Sequence, residues 1–247
     1  MNSLPFLDAA TVEPHLSWRR VVDALDAGHR RPRASIGDVL LRRDARSMLN
    51  RAAWVDGLGL GLKTMTIFPE NPPPVPPIQG VFVLFDDHDG APIALVDGIL
   101  LTKWKTASDS LLGARYLARP DSRTLLIVGA GTVAASLIEA YTECFPSLER
   151  IVLWNRTASK ARSLADAAST RGPVTVATDL PSAVADADIV ATATMASAPV
   201  LHGDWVRPGT HVDLIGAYLT RSFAVSFEDI GRVLDPLPDH ILFGLSI

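Results

Sequence analysis

The segment Gly129-Ala-Gly131-Thr-Val-Ala134 constrains this chain more than any other. It follows directly on the apolar run Leu125-Leu-Ile-Val128 and opens a stretch of helical character reaching to about Glu143. Between a strand and a helix, each small residue of G-x-G-x-x-A has a physical role. The first glycine permits the tight turn, the second lets backbone approach a pyrophosphate, and the small Ala134 lets helix and strand pack closely. The free amides and positive dipole end of such a helix bind an anion. A glycine turn with no ligand would read the same way in isolation. The second strand, Arg150-Ile-Val-Leu-Trp154, comes at the interval of a βαβ unit and favours nucleotide binding. Gly129, Gly131, Thr132 and Val133 are the expected contacts.

The rhythm continues beyond this unit. Ser159 to Ala168 reads as a helix, and Val174-Thr-Val176, Ile189-Val-Ala-Thr192 and His211-Val-Asp-Leu-Ile215 as further strands. Alternating β and α predicts an α/β, Rossmann-type doubly wound parallel sheet. Residues before about 120 read differently. Val21 to Leu25 suggests a helix, and Gly59 to Phe68 a strand with two mainly apolar faces. The proline-rich run Pro69 to Pro77 must be a stiff loop. Gly80–Phe85 and Ala91–Val96 form a hairpin across Asp86 to Gly90. A helix is expected from about Lys103 to Arg119, capped by Thr102 and carrying Lys103 and Lys105 in its first turn. Ala118-Arg-Pro-Asp-Ser122 then breaks the pattern. The expected organisation is an N-terminal α+β domain over residues 1–120 and a nucleotide-binding domain over residues 121–247.

The end of the second strand selects the cofactor. NAD enzymes place an acid there for the ribose 2′-hydroxyl. Here Asn155-Arg156-Thr157 follows Trp154, and Arg156 can pair with a 2′-phosphate. An ordinary exposed arginine is the other reading. The residues favour NADP(H), with NAD(H) as the alternative.

Composition excludes several classes. Of 247 residues, 48% are hydrophobic and 20% charged, with a net charge of -4. There is no basic excess for nucleic acid or an anionic membrane. One cysteine, Cys144, allows no internal disulfide framework. The start, Met1 to Asp8, lacks the features of a signal peptide, and no apolar run spans a bilayer. The expectation is a cytoplasmic protein. Its histidines are scattered, so no metal site is expected.

Three cations are candidates for chemistry. Lys63 lies in an otherwise buried-looking strand, where an ammonium must be paired or have a depressed pKa. Such a lysine can exchange protons with an amine or imine nitrogen. A lysine snorkelling from the strand is the plainer reading. Lys105, at the positive end of its expected helix, is what a carboxylate site would need, or else a solvated lysine. Arg33 belongs to the basic run His29-Arg-Arg-Pro-Arg33 and reads alone as surface.

Together these segments resemble the ornithine cyclodeaminase/mu-crystallin family. The stretches are Gly61-Leu-Lys-Thr-Met-Thr-Ile-Phe-Pro-Glu-Asn71, Leu84-Phe-Asp86 with Gly90 to Ala94, Asp97-Gly-Ile-Leu-Leu-Thr-Lys-Trp-Lys-Thr-Ala107, Tyr116 to Asp121, and Val128 to Gly131. Their order and spacing fit over roughly residues 20 to 217. The resemblance implies a substrate-binding and dimerisation domain beside a Rossmann domain, and a homodimer. It implies that Lys63 is the active-site lysine and Arg33 the first substrate-carboxylate arginine. Lys105 falls where most members carry arginine. Thr106 would touch the cofactor phosphates, and Thr194 and the strand around Asp213 would line the nicotinamide side. Ornithine cyclodeaminases proper carry an acid/base aspartate shortly after the glycine of that last strand. This chain has Gly216-Ala-Tyr218 there, and Leu219 to Val225 departs from the family pattern. The chain after about 217 reads as divergent or truncated.

The implied function is an NAD(P)-dependent enzyme acting on the Cα–N bond of a small amino or imino acid, as an imino-acid reductase or amino-acid dehydrogenase. The alternatives are ornithine cyclodeamination, and a non-catalytic protein that binds NADPH and small carboxylates.

Overall fold

A computed structural model describes residues 3–169, 174–194, 196 and 198–215. It divides into two compact units, Met1–Lys105 and Thr106–Ile247.

The first unit is built on a sheet of six strands: β1 (Phe6–Leu7), β2 (Ser35–Arg43), β3 (Arg46–Val55), β4 (Gly59–Ile67), β5 (Ile78–Phe85) and β6 (Pro92–Asp97). Their order is β1-β6-β5-β4-β3-β2. All neighbours are antiparallel except β1, which runs parallel to β6. Helices α1 (Ala9–Val12) and α2 (Trp18–His29) lie in the chain between β1 and β2. Ser17 caps α2 by accepting from the Arg20 amide, and α2 buries Trp18 and Val22 at i, i+4 spacing. The β2–β3 turn is tight, and Asp44 adopts φ 54° there, a conformation that Asp tolerates better than most residues. β2 and β3 leave little trace in the sequence. Every residue of β2 is exposed, so no buried face imprints a two-residue period.

Helix α3 (Gly98–Leu117) begins five residues earlier than the sequence predicts. Asp97 is the reason: its Oδ1 accepts from the amides of Ile99 at 2.7 Å and Leu100 at 3.1 Å. Gly98 allows the start to sit against β5, since a Cβ there would lie 2.6 Å from the Gly80 carbonyl carbon. Thr102 is therefore inside the helix, its hydroxyl donating to Gly98 O at 2.7 Å. Lys105 stands in the second turn, beyond the first-turn position where the dipole penalty applies. Lys105 is therefore not a misplaced charge at the helix start.

The second unit is the alternating one. Strands β7 (Thr124–Val128), β8 (Arg150–Trp154), β9 (Val174–Val176), β10 (Ile189–Ala193) and β11 (His211–Ile215) form an all-parallel sheet ordered β11-β10-β7-β8-β9. Taken in chain order from β7, this is the 3-2-1-4-5 arrangement of a Rossmann-type sheet. Helices α4 (Thr132–Cys144), α5 (Ala158–Ala168) and α6 (Leu180–Asp186) connect its strands. β7 is buried along its whole length, as expected of a central parallel strand. One face packs Leu126, Val128 and Val190 with Leu180 and Val184 of α6.

Candidate active site

In the second unit, the parallel register brings the carboxyl ends of β7, β8 and β10 together. Val128 pairs with Trp154 and with Thr192. The glycine turn leaves β7 at that edge. Gly129 adopts φ +137°, and its amide donates to Trp154 O at 2.8 Å. A Cβ on Gly129 would lie 2.2 Å from Ala193 O, so no side chain fits there. Gly131 caps α4 without a side-chain hydrogen bond, and nothing lies within 4 Å of where its Cβ would be. That combination is a cradle: backbone amides at a helix start, with open space in front. Thr132 and Val133 begin the helix. These residues fit a dinucleotide pyrophosphate.

At the end of β8, the Asn155 side-chain amide donates to Thr157 O at 2.9 Å and fixes the turn into α5. Arg156 is exposed on that turn, and Thr157 caps α5 with no side-chain bond. Thr194 follows β10, and its hydroxyl accepts from the Ala196 amide at 3.2 Å. Thr106 is buried on α3.

Asp213 belongs to a buried polar group. Its Oδ2 is inaccessible and has no hydrogen-bond partner among the described residues. Burial pushes its carboxyl up to about 6, against a hydrogen bond from Ser110, while the charge of Asp109 adds to the rise. Ser110 Oγ also lies 3.2 Å from the Tyr141 hydroxyl, which is fully buried on α4. Burial raises the Tyr141 pKa, and the charge of Asp213 adds to it. Two residues before Asp213, burial lowers His211 to about 4, and its Nε2 has no partner among the described residues. Ser110, Tyr141 and His211 were not among the expected site residues. Alternation along His211-Val-Asp-Leu-Ile215 puts His211 on the same face of the edge strand β11 as Asp213, a signal that could have found His211 but not Ser110 or Tyr141.

In the first unit, Lys63 stands at the centre of β4, directly opposite Arg51 of β3 and Phe82 of β5. It is half-buried. Arg51 is in turn opposite Asp38 of β2 and bonded to it through Nε at 2.7 Å and Nη2 at 2.5 Å. This pair went unnoticed in the sequence because β2 and β3 did. Arg33 is exposed on the loop before β2 and is not in the row of Lys63. Lys105 is half-buried on α3. Its neighbour Lys103 is held by Glu13 at 2.5 Å, and the Trp104 indole donates to the same carboxylate at 3.1 Å. Trp104 stacks on Trp18 with centroids 4.1 Å apart. This cluster anchors the first turns of α3. Among the described residues, no group of His, Cys, Asp or Glu could hold a metal ion, and no helix is long and apolar enough to cross a membrane.

The family model of the ornithine cyclodeaminase/mu-crystallin family matches residues 41–222, well over half of the chain. This chain belongs to that family. A Delta(1)-pyrroline-2-carboxylate reductase of Paracoccus denitrificans is 51% identical over 215 residues, covering 86% of this chain and 68% of that protein. The ketimine reductase mu-crystallin of Rattus norvegicus is 40% identical over 143 residues, covering 58% of this chain and 45% of that protein. Among solved structures, a probable ornithine cyclodeaminase of Bordetella pertussis superposes with a TM-score of 0.79 at 28% identity, over 89% of this chain and 70% of that one. The chain thus spans about two thirds of the first relative's length and under half of the second's. The family match takes in both the strand of Lys63 and the glycine turn. The segment from Gly216 on, with the missing aspartate and the divergent tail, lies outside the described residues.

Proposed function

We propose that this family member is an imino-acid reductase that uses a reduced nicotinamide dinucleotide to convert the C=N bond of a small imino acid, of the Δ1-pyrroline-2-carboxylate type, into the amine. The observation that carries this reading is the 51% identity over 215 residues to a reductase of that name. The glycine cradle of α4 and the lysine of β4 support it with the two elements the reaction requires.

The reaction adds one hydride to carbon and one proton to nitrogen. When bound, the reduced nicotinamide supplies the hydride for the imine carbon. Arg33 and Lys105 hold the substrate carboxylate and so orient Cα. Lys105 keeps the charge but lacks the arginine fork, which leaves a single point of contact. Lys63 holds the proton at the imine nitrogen and recovers it from water after release. Thr106, Gly129, Gly131, Thr132 and Val133 bind the dinucleotide, with Thr194 and the strand of Asp213 toward its nicotinamide half. Asn155, Arg156 and Thr157 favour NADP(H), since an exposed cation stands where an acid would select NAD.

In this reading residues 1–120 serve substrate and dimerisation, and residues 121–247 serve the nucleotide. A homodimer is supported by edge strand β2, whose Ile36, Val39, Leu40 and Leu41 are exposed. The single cysteine, Cys144, suits a reducing, cytoplasmic compartment. The reading is tested by incubating the purified protein with Δ1-pyrroline-2-carboxylate, and separately with ornithine, while following NAD(P)H absorbance and ammonia. Consumption of NAD(P)H with the imino acid supports it. Ammonia release from ornithine without net cofactor turnover would replace it with cyclodeamination.

A further inference from the structure

Two glycines lie beside Lys63 on its own face of the first sheet. Alternation puts Gly61, Lys63 and Met65 of β4 on one face. Register sets them opposite Leu84, Phe82 and Gly80 of β5. Directly opposed residues of antiparallel strands have Cβ atoms about 5 Å apart, and diagonal neighbours lie about 7–8 Å apart. Phe82 is thus the cross-strand partner of Lys63, with Gly61 next to it along β4 and Gly80 on the diagonal.

Each glycine has a large apolar side chain folded over it. The Phe82 ring covers Gly61, where a Cβ would lie 2.7 Å from its Cε2 and nearer still to its Cζ. The Met65 sulfur covers Gly80 in the same way. The two coverings differ in what they leave open. Met65 is buried, so its end of the row is closed. Phe82 is only half-buried, and its ring reaches across to β4 on the Gly61 side of Lys63. Arg33 lies toward the same end of the sheet. It precedes β2, whose Ser35 stands in the row of Trp54 and Leu60, on the Gly61 side of Lys63 and away from Met65. A substrate with its nitrogen at Lys63 and its carboxylate toward Arg33 therefore extends over the Phe82 ring. The other ring carbons of a cyclic imino acid are methylenes, which gain by leaving water for an aromatic surface.

We propose that Phe82 determines substrate specificity: its ring, bedded on Gly61, touches the ring methylenes of a cyclic imino acid and sets the ring size that fits. This rests on the reading of the protein as an imino-acid reductase with Lys63 at the imine nitrogen and Arg33 at the carboxylate. Gly61 is the condition for it, because a side chain at that position would occupy the bed of the ring.

The test compares two substrates of the full chain, Δ1-pyrroline-2-carboxylate and its six-membered-ring homologue, each followed by NADPH consumption. Phe82→Ala removes the aromatic surface, so kcat/KM for the five-membered ring should fall by about ten- to two-hundredfold, the range that contacts in a hydrophobic pocket give. The six-membered ring should lose less, because its extra methylene reaches into the vacated space. The ratio of the two kcat/KM values then shifts toward the larger ring, while NADPH affinity, read by fluorescence titration, stays unchanged. A phenylalanine that only packs the sheet would lower both substrates alike. An unchanged ratio, or a shift toward the smaller ring, overturns the proposal. If Phe82→Ala does not fold, Phe82→Leu decides by the same ratio, with a smaller shift expected. Wild-type protein that reduces neither substrate overturns the reductase reading, and the proposal with it. Wild-type turnover with an unmoved ratio in the variant overturns the proposal alone.

Discussion

Lys63 shows what a single residue contributes. It stands half-buried at the centre of β4 between Arg51 and Phe82, where an ammonium has to be paired or hydrogen-bonded. Lys63→Ala should lower kcat by about a hundred- to ten-thousandfold, the usual range for lost proton transfer. NADPH affinity should stay unchanged, because the glycine cradle belongs to α4. Steady-state kinetics beside a fluorescence titration of NADPH checks both, and near-normal turnover would remove Lys63 from the mechanism. Arg156 makes the complementary case. Arg156→Ala should narrow the preference for NADPH over NADH, since only the 2′-phosphate distinguishes the two. Equal weakening of both cofactors would show that Arg156 does not read the phosphate.

At the scale of elements, the β7–α4 turn separates two roles that its motif runs together. Gly129→Ala puts a Cβ 2.2 Å from Ala193 O at φ +137°, so it should lower Tm as well as NADPH binding. Gly131→Ala meets nothing within 4 Å. It should leave Tm unchanged and still abolish tight binding, because the methyl occupies the space a pyrophosphate needs. Thermal melts with and without NADPH distinguish the two, and retained binding in Gly131→Ala would mean the cradle is not used. Strand β11 carries a pH-dependent pair. His211, lowered to about 4 from 6.5, contributes stability that is present above pH 6.5 and lost as pH falls toward 4. Asp213, raised to about 6 from 3.8, is favoured neutral, so its contribution is present below pH 3.8 and lost as pH rises through 6. The two slopes oppose each other between pH 4 and 6. Asp213→Asn should leave the His211 slope alone, so stability rises with pH over that window more steeply than in wild type. Denaturant unfolding at several pH values checks this, and an unaltered slope would contradict it.

Much of this was legible in the sequence, for identifiable reasons. The parallel sheet announced itself because strands such as β7 are buried on both faces and read as unbroken apolar runs. The glycine turn between β7 and α4 followed from one motif in context. β2 was hidden because an exposed edge strand has no reason to alternate, and β3 because it is half-buried along most of its length with no fully buried face; with them went Asp38 and Arg51. The start of α3 was misplaced because Asp97-Gly98 reads equally as a turn and as a cap; only the fold shows Asp97 capping and Gly98 against Gly80.

For the molecule as a whole, nucleotide binding and turnover are separable properties. A ligand that binds only the folded state stabilises by about 2.7 kcal/mol at a hundredfold excess over Kd, so NADPH should raise Tm by a few degrees whether or not substrate is turned over. Turnover of the proposed kind requires that hydride pass from the dinucleotide to the imine carbon of a small imino acid. The most direct measurement supplies Δ1-pyrroline-2-carboxylate with cofactor deuterated at the transferable nicotinamide position and analyses the product by mass spectrometry and NMR. The expected product is proline carrying one deuterium, located at Cα. Product without deuterium at Cα, or no product while ornithine yields ammonia, would contradict it.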